Sequence, residues 1–310
     1  MGNSPGSDAS AHGFVTDNWV DLNSVYCACH SLDDKTRAYD IMQPEPPFSR
    51  PLEETMLALK AASKASNAVM QIYSKEFTSS LKDDDSPITK ADLKSNEIIK
   101  KILSPSGLPV LSEEDTDTKS RLDHDKIWII DPLDGTSDFV NRTGEFTIMV
   151  GLVEHSRPIL GVICRPTTNT LFLAQKGSGA YMLEGNVWSK LAVSKTSELA
   201  KCRAVGSRFH LSEQEKEFFK KLGVLSFESR GSSLKVAEIC MGKAEIYLTT
   251  SSKIKQWDTC ASYCLVTEAG GRMTDMLGND VFYNTEKLNH ENGLLVTNGL
   301  VHEQIIKQYR

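Results

Sequence analysis

No run of apolar residues in this chain approaches the roughly 18 needed to span a bilayer, which argues against a membrane protein. Positive charge is not in surplus either: 35 Lys+Arg stand against 41 Asp+Glu, for a net charge of -6. A nucleic-acid binder needs a basic face to neutralise phosphates, so that class is set aside. Nor are the seven cysteines spaced as a disulfide framework; Cys164, Cys202, Cys240, Cys260 and Cys264 are scattered among apolar neighbours. An odd count with no secretory signal in view points to reduced thiols and cytoplasmic residence. The run Cys27-Ala28-Cys29-His30 offers half a zinc site, but no second pair completes four ligands. Internal repeats are absent too. What is there is 310 residues with 40% hydrophobic content, enough for two packed domains or one large one.

Residues 1–50 hold seven acids against three bases, no sustained period, and the proline cluster Gln43-Pro44-Glu45-Pro46-Pro47. They are expected to be a poorly ordered or loosely packed extension. Acidic and without arginine before Arg37, the segment does not resemble a transit peptide. Met1-Gly2 lacks the Ser or Thr that myristoylation wants at position six, where Gly6 stands.

From Glu53 apolar residues fall on helical spacings to about Ser74, and again from Ala91 to near Pro105, with a turn at Asp83–Pro87 between them. Ile127–Ile130, Phe146–Val153, Ile159–Cys164 and Thr170–Ala174 read as strands. The tight links His155–Pro158 and Pro166–Asn169 demand antiparallel pairing. Beyond Gly185 the pattern alternates: strand Ala204–Ser207, helix Ser212–Leu222, helix Ser232–Met241, strand Ala244–Thr249 and helix Thr259–Ala269 before Gly270-Gly271. The expectation is an α/β (α+β) protein with a larger α+β half over 51–184 and a smaller α/β half over 185–310.

Acids follow the apolar runs. Val110-Leu111 leads into Ser112-Glu113-Glu114-Asp115, Trp128-Ile129-Ile130 into Asp131-Pro132-Leu133-Asp134-Gly135-Thr136, and Trp257-Asp258 comes far downstream. Carboxylates beside buried strands are costly unless cations or donors compensate them. Singly, each reads as a turn acid or a helix cap. Together, Asp131 and Asp134, three apart across a proline turn, are able to reach one ion or a pair. Oxygen ligands without His or Cys favour Mg²⁺, with Mn²⁺ a substitute.

These motifs resemble the Mg²⁺-dependent, lithium-sensitive inositol monophosphatase superfamily. Its pattern is an upstream Asp, a Glu-Glu pair, Asp-Pro-Ile/Leu-Asp-Gly/Ser-Thr/Ser, then Trp-Asp, eleven residues and Gly-Gly. Here the upstream acid is Asp92, and the eleven residues Thr259–Ala269 separate Asp258 from Gly270-Gly271. The resemblance covers residues 53 to 310 and implies a layered αβαβα fold holding two or three Mg²⁺ ions. By it, Glu113, Asp131 and the Leu133 carbonyl hold one ion. Asp131, Asp134 and Asp258 hold a second, and Glu113 serves a third through water. Asp92 and Thr136 then orient and deprotonate the attacking water, and Gly135 lets backbone approach the phosphate. Glu113, as a metal ligand, shares in the catalysis.

Within that superfamily the chain is most similar to the 3′(2′),5′-bisphosphate nucleotidase group. The similarity rests on Pro109–Asp115, Gly144-Glu145-Phe146-Thr147, Gly206-Ser207-Arg208-Phe209-His210, Gly231-Ser232-Ser233-Leu234-Lys235 and Lys255–Ala261. It implies that His210, Ser232 and Lys235 contact a nucleotide, chiefly its second phosphate. On their own they read as a loop histidine, a helix N-cap and a solvated lysine. Several nucleotidases carry a substrate-contacting arginine after the strand matching Ala244–Leu248; here Thr249-Thr250 stand there, with Lys253 and Lys255 following. Inositol-specific members usually place a glutamate shortly before Trp-Asp, and Ser251–Gln256 contains none.

The expected activity is therefore hydrolysis of the 3′-phosphate of adenosine 3′,5′-bisphosphate to AMP, with the sulfated analogue also a substrate. The same acids would serve inositol monophosphate or fructose 1,6-bisphosphate. A catalytically dead relative would have lost a motif acid, yet all are present. The expected partner is a small anionic substrate, not a nucleic-acid polymer or a membrane, and the expected state is a monomer or homodimer. Trp128, Trp257, Cys260 and Cys264 are read as packing residues, and Glu114 as support for its neighbours.

Overall fold

The computed structural model describes residues 44–81 and 87–310. The cysteine-histidine run, the N-terminal Met-Gly and most of the Asp83–Pro87 turn lie outside the described residues. After the proline cluster Phe48 is buried, its ring edge-on to Tyr181 at 5.7 Å. Helix α1 (Glu53–Tyr73) buries the small side chains of Ala58, Ala61, Ala62 and Ala65. With no side-chain cap of its own, its entry is held by Gln175, whose Oε1 accepts from the Leu52 N–H at 2.8 Å. The hairpin β1 (Ser79–Leu81) and β2 (Pro87–Thr89) leads into α2 (Lys90–Leu103).

A seven-stranded sheet follows, made of β3 (Val110–Ser112), β4 (Lys126–Asp134), β5 (Thr147–Glu154), β6 (Arg157–Arg165), β7 (Thr170–Gln175), β8 (Gly179–Glu184) and β9 (Val187–Lys190), in that order. Only β3 and β4 are parallel; every later pair is antiparallel, as the tight links require. Helix α3 (Thr136–Val140) opens directly after β4. The second sheet has the order β11-β10-β12-β14-β13. Its strands are β10 (Arg203–Ser207), β11 (Ser226–Arg230), β12 (Ile246–Thr249), β13 (Arg272–Thr274) and β14 (Leu294–Thr297), and α4 (Glu213–Leu222), α5 (Leu234–Cys240), α6 (Gln256–Glu268) and α7 (His302–Tyr309) accompany them. Strands β10, β11 and β12 are mutually parallel, while β14 runs against both β12 and β13.

The period of two along each strand sorts side chains into three cores. Trp128 and Ile130 of β4, with Ile148 and Val150 of β5, face α1 and α2. Ile127, Ile129 and Met149 face the other way, onto α5, α6 and the near side of the second sheet at Val205, Tyr247 and Val296. The far side of that sheet, at Ala204, Ile246 and Leu295, is covered by Phe218 and Phe219 of α4 and Ile305 of α7. Five layers result, helix-sheet-helix-sheet-helix, which is the expected αβαβα arrangement. Because both faces of the first sheet are covered, its strands read as continuous apolar runs rather than as alternation.

Helix α6 lies close on the first sheet because two cross-strand partners are glycines. A Cβ on Gly151 would sit 2.4 Å from Cys260 Sγ, and one on Gly161 would sit 2.5 Å from the Ala261 carbonyl oxygen. Cys260 and Cys264 are buried there, and burial pushes the Cys264 thiol well up. Three local expectations need correction. Helix α6 starts at Gln256, one turn earlier than the apolar period predicts, because Asp258 caps it: its carboxylate accepts from the Lys255 N–H at 2.7 Å. Asp258 therefore stands in the first turn of a helix, not at a strand end. Helix α5 starts at Leu234 with Ser233 before it, so Ser232 is no N-cap; it takes a left-handed φ of 49°.

Candidate active site

The strand β4 does not end at Ile130 but runs through the acidic motif with a bulge. Asp131 pairs with Met149 and Asp134 with Thr147, so three steps on one strand match two on the other. The extra residue turns both acids toward one side. Asp131 Oδ1 accepts from the Leu133 N–H at 3.0 Å, and the Ser95 hydroxyl holds the Pro132 carbonyl at 2.6 Å. Gly135 then takes φ 87°, and a Cβ there would meet Ser232 Cβ at 2.9 Å, so the turn before α5 rests directly on it. Glu113 enters from the end of β3, its N–H on the Ile130 carbonyl, and Asp258 from the first turn of α6.

All four acids line one cleft of about 590 Å³, together with Leu133, Gly135, Thr136, His210, Ser232 and Lys235. Asp131 is buried at 1% exposure; the others are half-buried. Burial pushes the Asp131 carboxyl well above the usual range, and Glu113, Asp134 and Asp258 push it further. Asp258 is raised in the same way, by burial and then by Glu113 and Asp134. Burial also raises Asp134, opposed by the Lys235 charge, the Ser233 N–H at 2.6 Å and the Thr147 hydroxyl at 3.2 Å. Like charges held together at a cleft floor invite a cation.

The donor set fits a hard divalent ion: carboxylates and the Leu133 carbonyl, with no cysteine lining the cleft and His210 influenced by Lys235, Asp138 and Lys253 rather than by these acids. Among the described residues no three His, Cys, Asp or Glu side chains are drawn together closely enough to hold a metal ion by themselves; a hard divalent ion that keeps several waters needs only one or two carboxylates beside ligand oxygens. Ser262 Oγ is a buried polar atom with no hydrogen-bond partner among the described residues, and it lines the cleft one turn past Asp258. A polar atom so placed leaves room for one more oxygen partner in the cleft.

Asp92 does not line the cleft. It is buried in the first turn of α2, where its Oδ2 accepts from the Thr89 N–H and hydroxyl, each at 2.7 Å. Its other oxygen accepts from the Thr136 hydroxyl at 3.0 Å, so it communicates with the cleft through Thr136. Burial raises Asp92, partly offset by these bonds. Lys235 is buried, and its Nζ donates to the Ser232 carbonyl at 2.6 Å; burial lowers its pKa while Asp134, Asp138 and Asp258 raise it. His210 is largely exposed, and partial desolvation against the cleft wall, then the Lys235 charge, lower its pKa. Trp128 is packing, its Nε1 on Ser106 Oγ at 3.0 Å, whereas Trp257 lines the cleft.

Two groups of supporting residues were not legible as such. Fully buried Thr147 places its hydroxyl within 3.2 Å of Asp134 and within 3.0 and 2.7 Å of the Ser232 and Ser233 hydroxyls. Glu145 accepts from the Gly231 N–H at 2.7 Å and pairs with Arg208 at 2.5 Å, which also reaches Asp138 at 3.3 Å. Both Glu145 and Thr147 lie in a segment quoted above, yet only the fold shows what they hold.

The chain is similar to several known proteins. A 3′(2′),5′-bisphosphate nucleotidase CysQ from Salmonella typhimurium is 34% identical over 232 residues, covering 72% of this chain and 90% of that protein. The crystal structure of CysQ from Bacteroides thetaiotaomicron, titled a bacterial member of the inositol monophosphatase family, matches with a TM-score of 0.70 at 31% identity, covering 79% of this chain and 97% of that one. An IMPase from Thermotoga maritima matches at a TM-score of 0.72 and 24% identity, covering 83% of this chain and 97% of that one, which speaks to the fold alone. The inositol monophosphatase family model matches residues 52–310, and the chain belongs to that family.

Proposed function

We propose that the chain is a Mg²⁺-dependent phosphomonoesterase that removes the 3′-phosphate of adenosine 3′,5′-bisphosphate, giving AMP and phosphate, and that acts likewise on 3′-phosphoadenylyl sulfate. The observation that carries this is that Glu113, Asp131, Asp134 and Asp258 line one cleft together with Lys235, Lys253 and Lys255. Acids alone would repel a phosphate; acids that gather divalent cations, beneath lysines, suit a small anion with more than one phosphate. The bisphosphate nucleotidase named above, one third identical over most of its length, supports the same substrate class.

Glu113, Asp131, the Leu133 carbonyl, Asp134 and Asp258 would hold two or three Mg²⁺ ions, which when bound acidify a coordinated water and offset charge on the leaving oxygen. The protein's own groups then move the proton. The Thr136 hydroxyl, already donating to Asp92, passes its proton to that carboxylate as it accepts one from the attacking water. Asp92 suits the role because burial makes it a stronger base than a surface aspartate. The water oxygen bonds to phosphorus as the bond to the 3′ oxygen breaks, and that oxygen takes a proton from solvent. Gly135 lets the backbone come close to the phosphate. Ser232 and Lys235, held between Thr147 and Asp134, present a hydroxyl and a cation to the second phosphate, with His210 beside it.

The deciding assay compares adenosine 3′,5′-bisphosphate, inositol 1-phosphate and fructose 1,6-bisphosphate with Mg²⁺, with and without lithium. A kcat/KM highest for the nucleotide is expected, and a preference for either sugar phosphate overturns the substrate assignment.

A further inference from the structure

Strands β10 and β12 are parallel neighbours, so the loops leaving their carboxyl ends rise side by side over the same cleft. One loop is Arg208–Ser212, the other Thr250–Lys255. A single buried carboxylate ties them together. Glu215, 2% exposed, accepts from the Ser212 N–H at 2.9 Å and from the Thr250 N–H at 2.6 Å. The first loop is fixed at both of its other corners. Arg208 pairs with Glu145 and Asp138, and the His210 N–H closes on Ser207 Oγ at 3.1 Å. Leu211 folds back beneath it, close enough that a Cβ on Gly206 would meet its Cδ1 at 3.2 Å.

What this arrangement leaves over is Phe209. Its side chain is 45% exposed and lines the cleft, although a buried alternative would remove the ring from water. On the adjoining loop the exposed Lys253 also lines the cleft; its charge reaches His210, and it has no carboxylate partner among the described residues. An aromatic face held on a clamped loop, with a cation that lacks a paired carboxylate on the loop beside it, matches a ligand with a flat ring and an added negative charge. It does not match a hydroxylated cyclohexane or furanose, which offers no π-face.

We infer that Phe209 is a specificity-determining residue whose ring stacks on the nucleobase of a nucleoside bisphosphate, while Lys253 supplies positive charge to that ligand's second anionic group. This rests on the bisphosphate reading above and adds the residue that separates nucleotide from sugar phosphate. Stacking on an aromatic side chain tolerates any base, so the ring gives preference for nucleotides as a class rather than for adenine.

The test is the ratio of kcat/KM for adenosine 3′,5′-bisphosphate to kcat/KM for glycerol 2-phosphate, measured in the full chain with Mg²⁺. Truncating a stacked ring costs roughly tenfold or more in affinity for a base, so Phe209→Ala should lower the ratio about tenfold, through KM for the nucleotide. Phe209→Tyr should keep it, and Phe209→Leu, which retains apolar bulk without a π-face, should lose most of it. Lys253→Gln should raise KM for the bisphosphate more than for AMP analogues with one phosphate. If the parent turns over the nucleotide well but Phe209→Ala leaves the ratio unchanged, or Phe209→Leu matches the parent, the stacking role is overturned and the activity stands. If the parent does not turn over the nucleotide at all, the activity assignment falls, and the stacking role with it.

Discussion

A single methyl group added at Gly161 should both destabilise the protein and disturb its cleft. The Cβ of Gly161→Ala would lie 2.5 Å from the Ala261 carbonyl oxygen and 3.1 Å from that residue's C and Cα. Relaxed carbon contacts are about 3.5–4.0 Å, so roughly 1 Å of clearance must be found. The obstructing atoms are helix backbone, which cannot swing aside as a side-chain end does, so α6 must retreat or the sheet must bow. Overpacking of this kind costs about 1–3 kcal/mol. An unfolding entropy of about 2.1 cal/mol/K per residue over about 270 folded residues converts this to a fall in Tm of about 2–5 °C. Ala261 lies three residues beyond Asp258 on the same helix. Moving that carboxylate by about 1 Å should lower kcat on the order of a hundredfold. Gly107→Ala is the control: its φ is 68° and nothing lies within 4 Å of the added Cβ, so it incurs backbone strain of about 1–2 kcal/mol and leaves the cleft alone. Thermal unfolding followed by circular dichroism, with kcat on the same samples, decides the matter. A Gly161→Ala protein that melts with the parent and turns over within twofold of it would falsify the close approach of α6 to the sheet.

Other outcomes follow from the same geometry. Thr136→Val and Asp92→Asn should each lower kcat about 10²–10⁴-fold with KM within a few fold, as loss of a proton-transfer path does; parental turnover in either would exclude the relay. Asp131, held above the usual carboxylate range, binds a proton more tightly folded than unfolded. The stability it supports is present below its ordinary 3.8 and lost as pH rises through the raised value. Buried His290 and His302, both lowered to about 4, act oppositely: the stability they support is present above their ordinary 6.5 and lost as pH falls toward 4. Asp131→Asn in a chelator should therefore melt above the parent by a margin that widens with pH, the histidine contributions cancelling in the difference; a constant margin would contradict the electrostatics. For the parent at neutral pH, Mg²⁺ at a hundredfold its dissociation constant should add about 2.7 kcal/mol, read as a rise in Tm over the chelated protein. Glu215→Gln leaves one oxygen to serve two loop N–H groups and should cost about 1.5–3 kcal/mol while raising KM for the nucleotide; an unchanged KM would mean that the two loops do not depend on this clamp.

Local chemistry was legible where a local rule decides. The apolar period of α1 and α2, the tight links that force β5, β6 and β7 into antiparallel pairing, and the helix read over Ser212–Leu222 all depend on residues within a few positions of one another. The early start of α6 was missed although its cause is local, the Asp258 carboxylate accepting from the Lys255 N–H three residues back. Where a distant partner decides, the reading slipped. Ser232 adopts a left-handed backbone because it is pressed onto Gly135 and bonded to Thr147, 97 and 85 residues away in sequence. Strands β13 and β14 and helix α7 went unread: each is short, and β14 is specified mainly by its neighbours β12 and β13.

The sequence by itself determined which acids this protein has, their order, and the bulge-forming Asp-Pro-Leu-Asp-Gly-Thr run, because spacing and residue type are properties of the chain. The periods of its elements gave an α+β half followed by an α/β half, and the layered class came with the family resemblance of its motifs. Only the tertiary structure decided that Glu113 from β3, Asp131 and Asp134 from β4 and Asp258 from α6 share one cleft floor, and that Asp92 reaches it only through Thr136. It alone decided that Thr147 and Glu215 hold the walls and that Phe209 is left uncovered. The physical reason is that repulsion among carboxylates, burial and shared hydrogen bonds act between groups close in space, and sequence separation does not measure that distance.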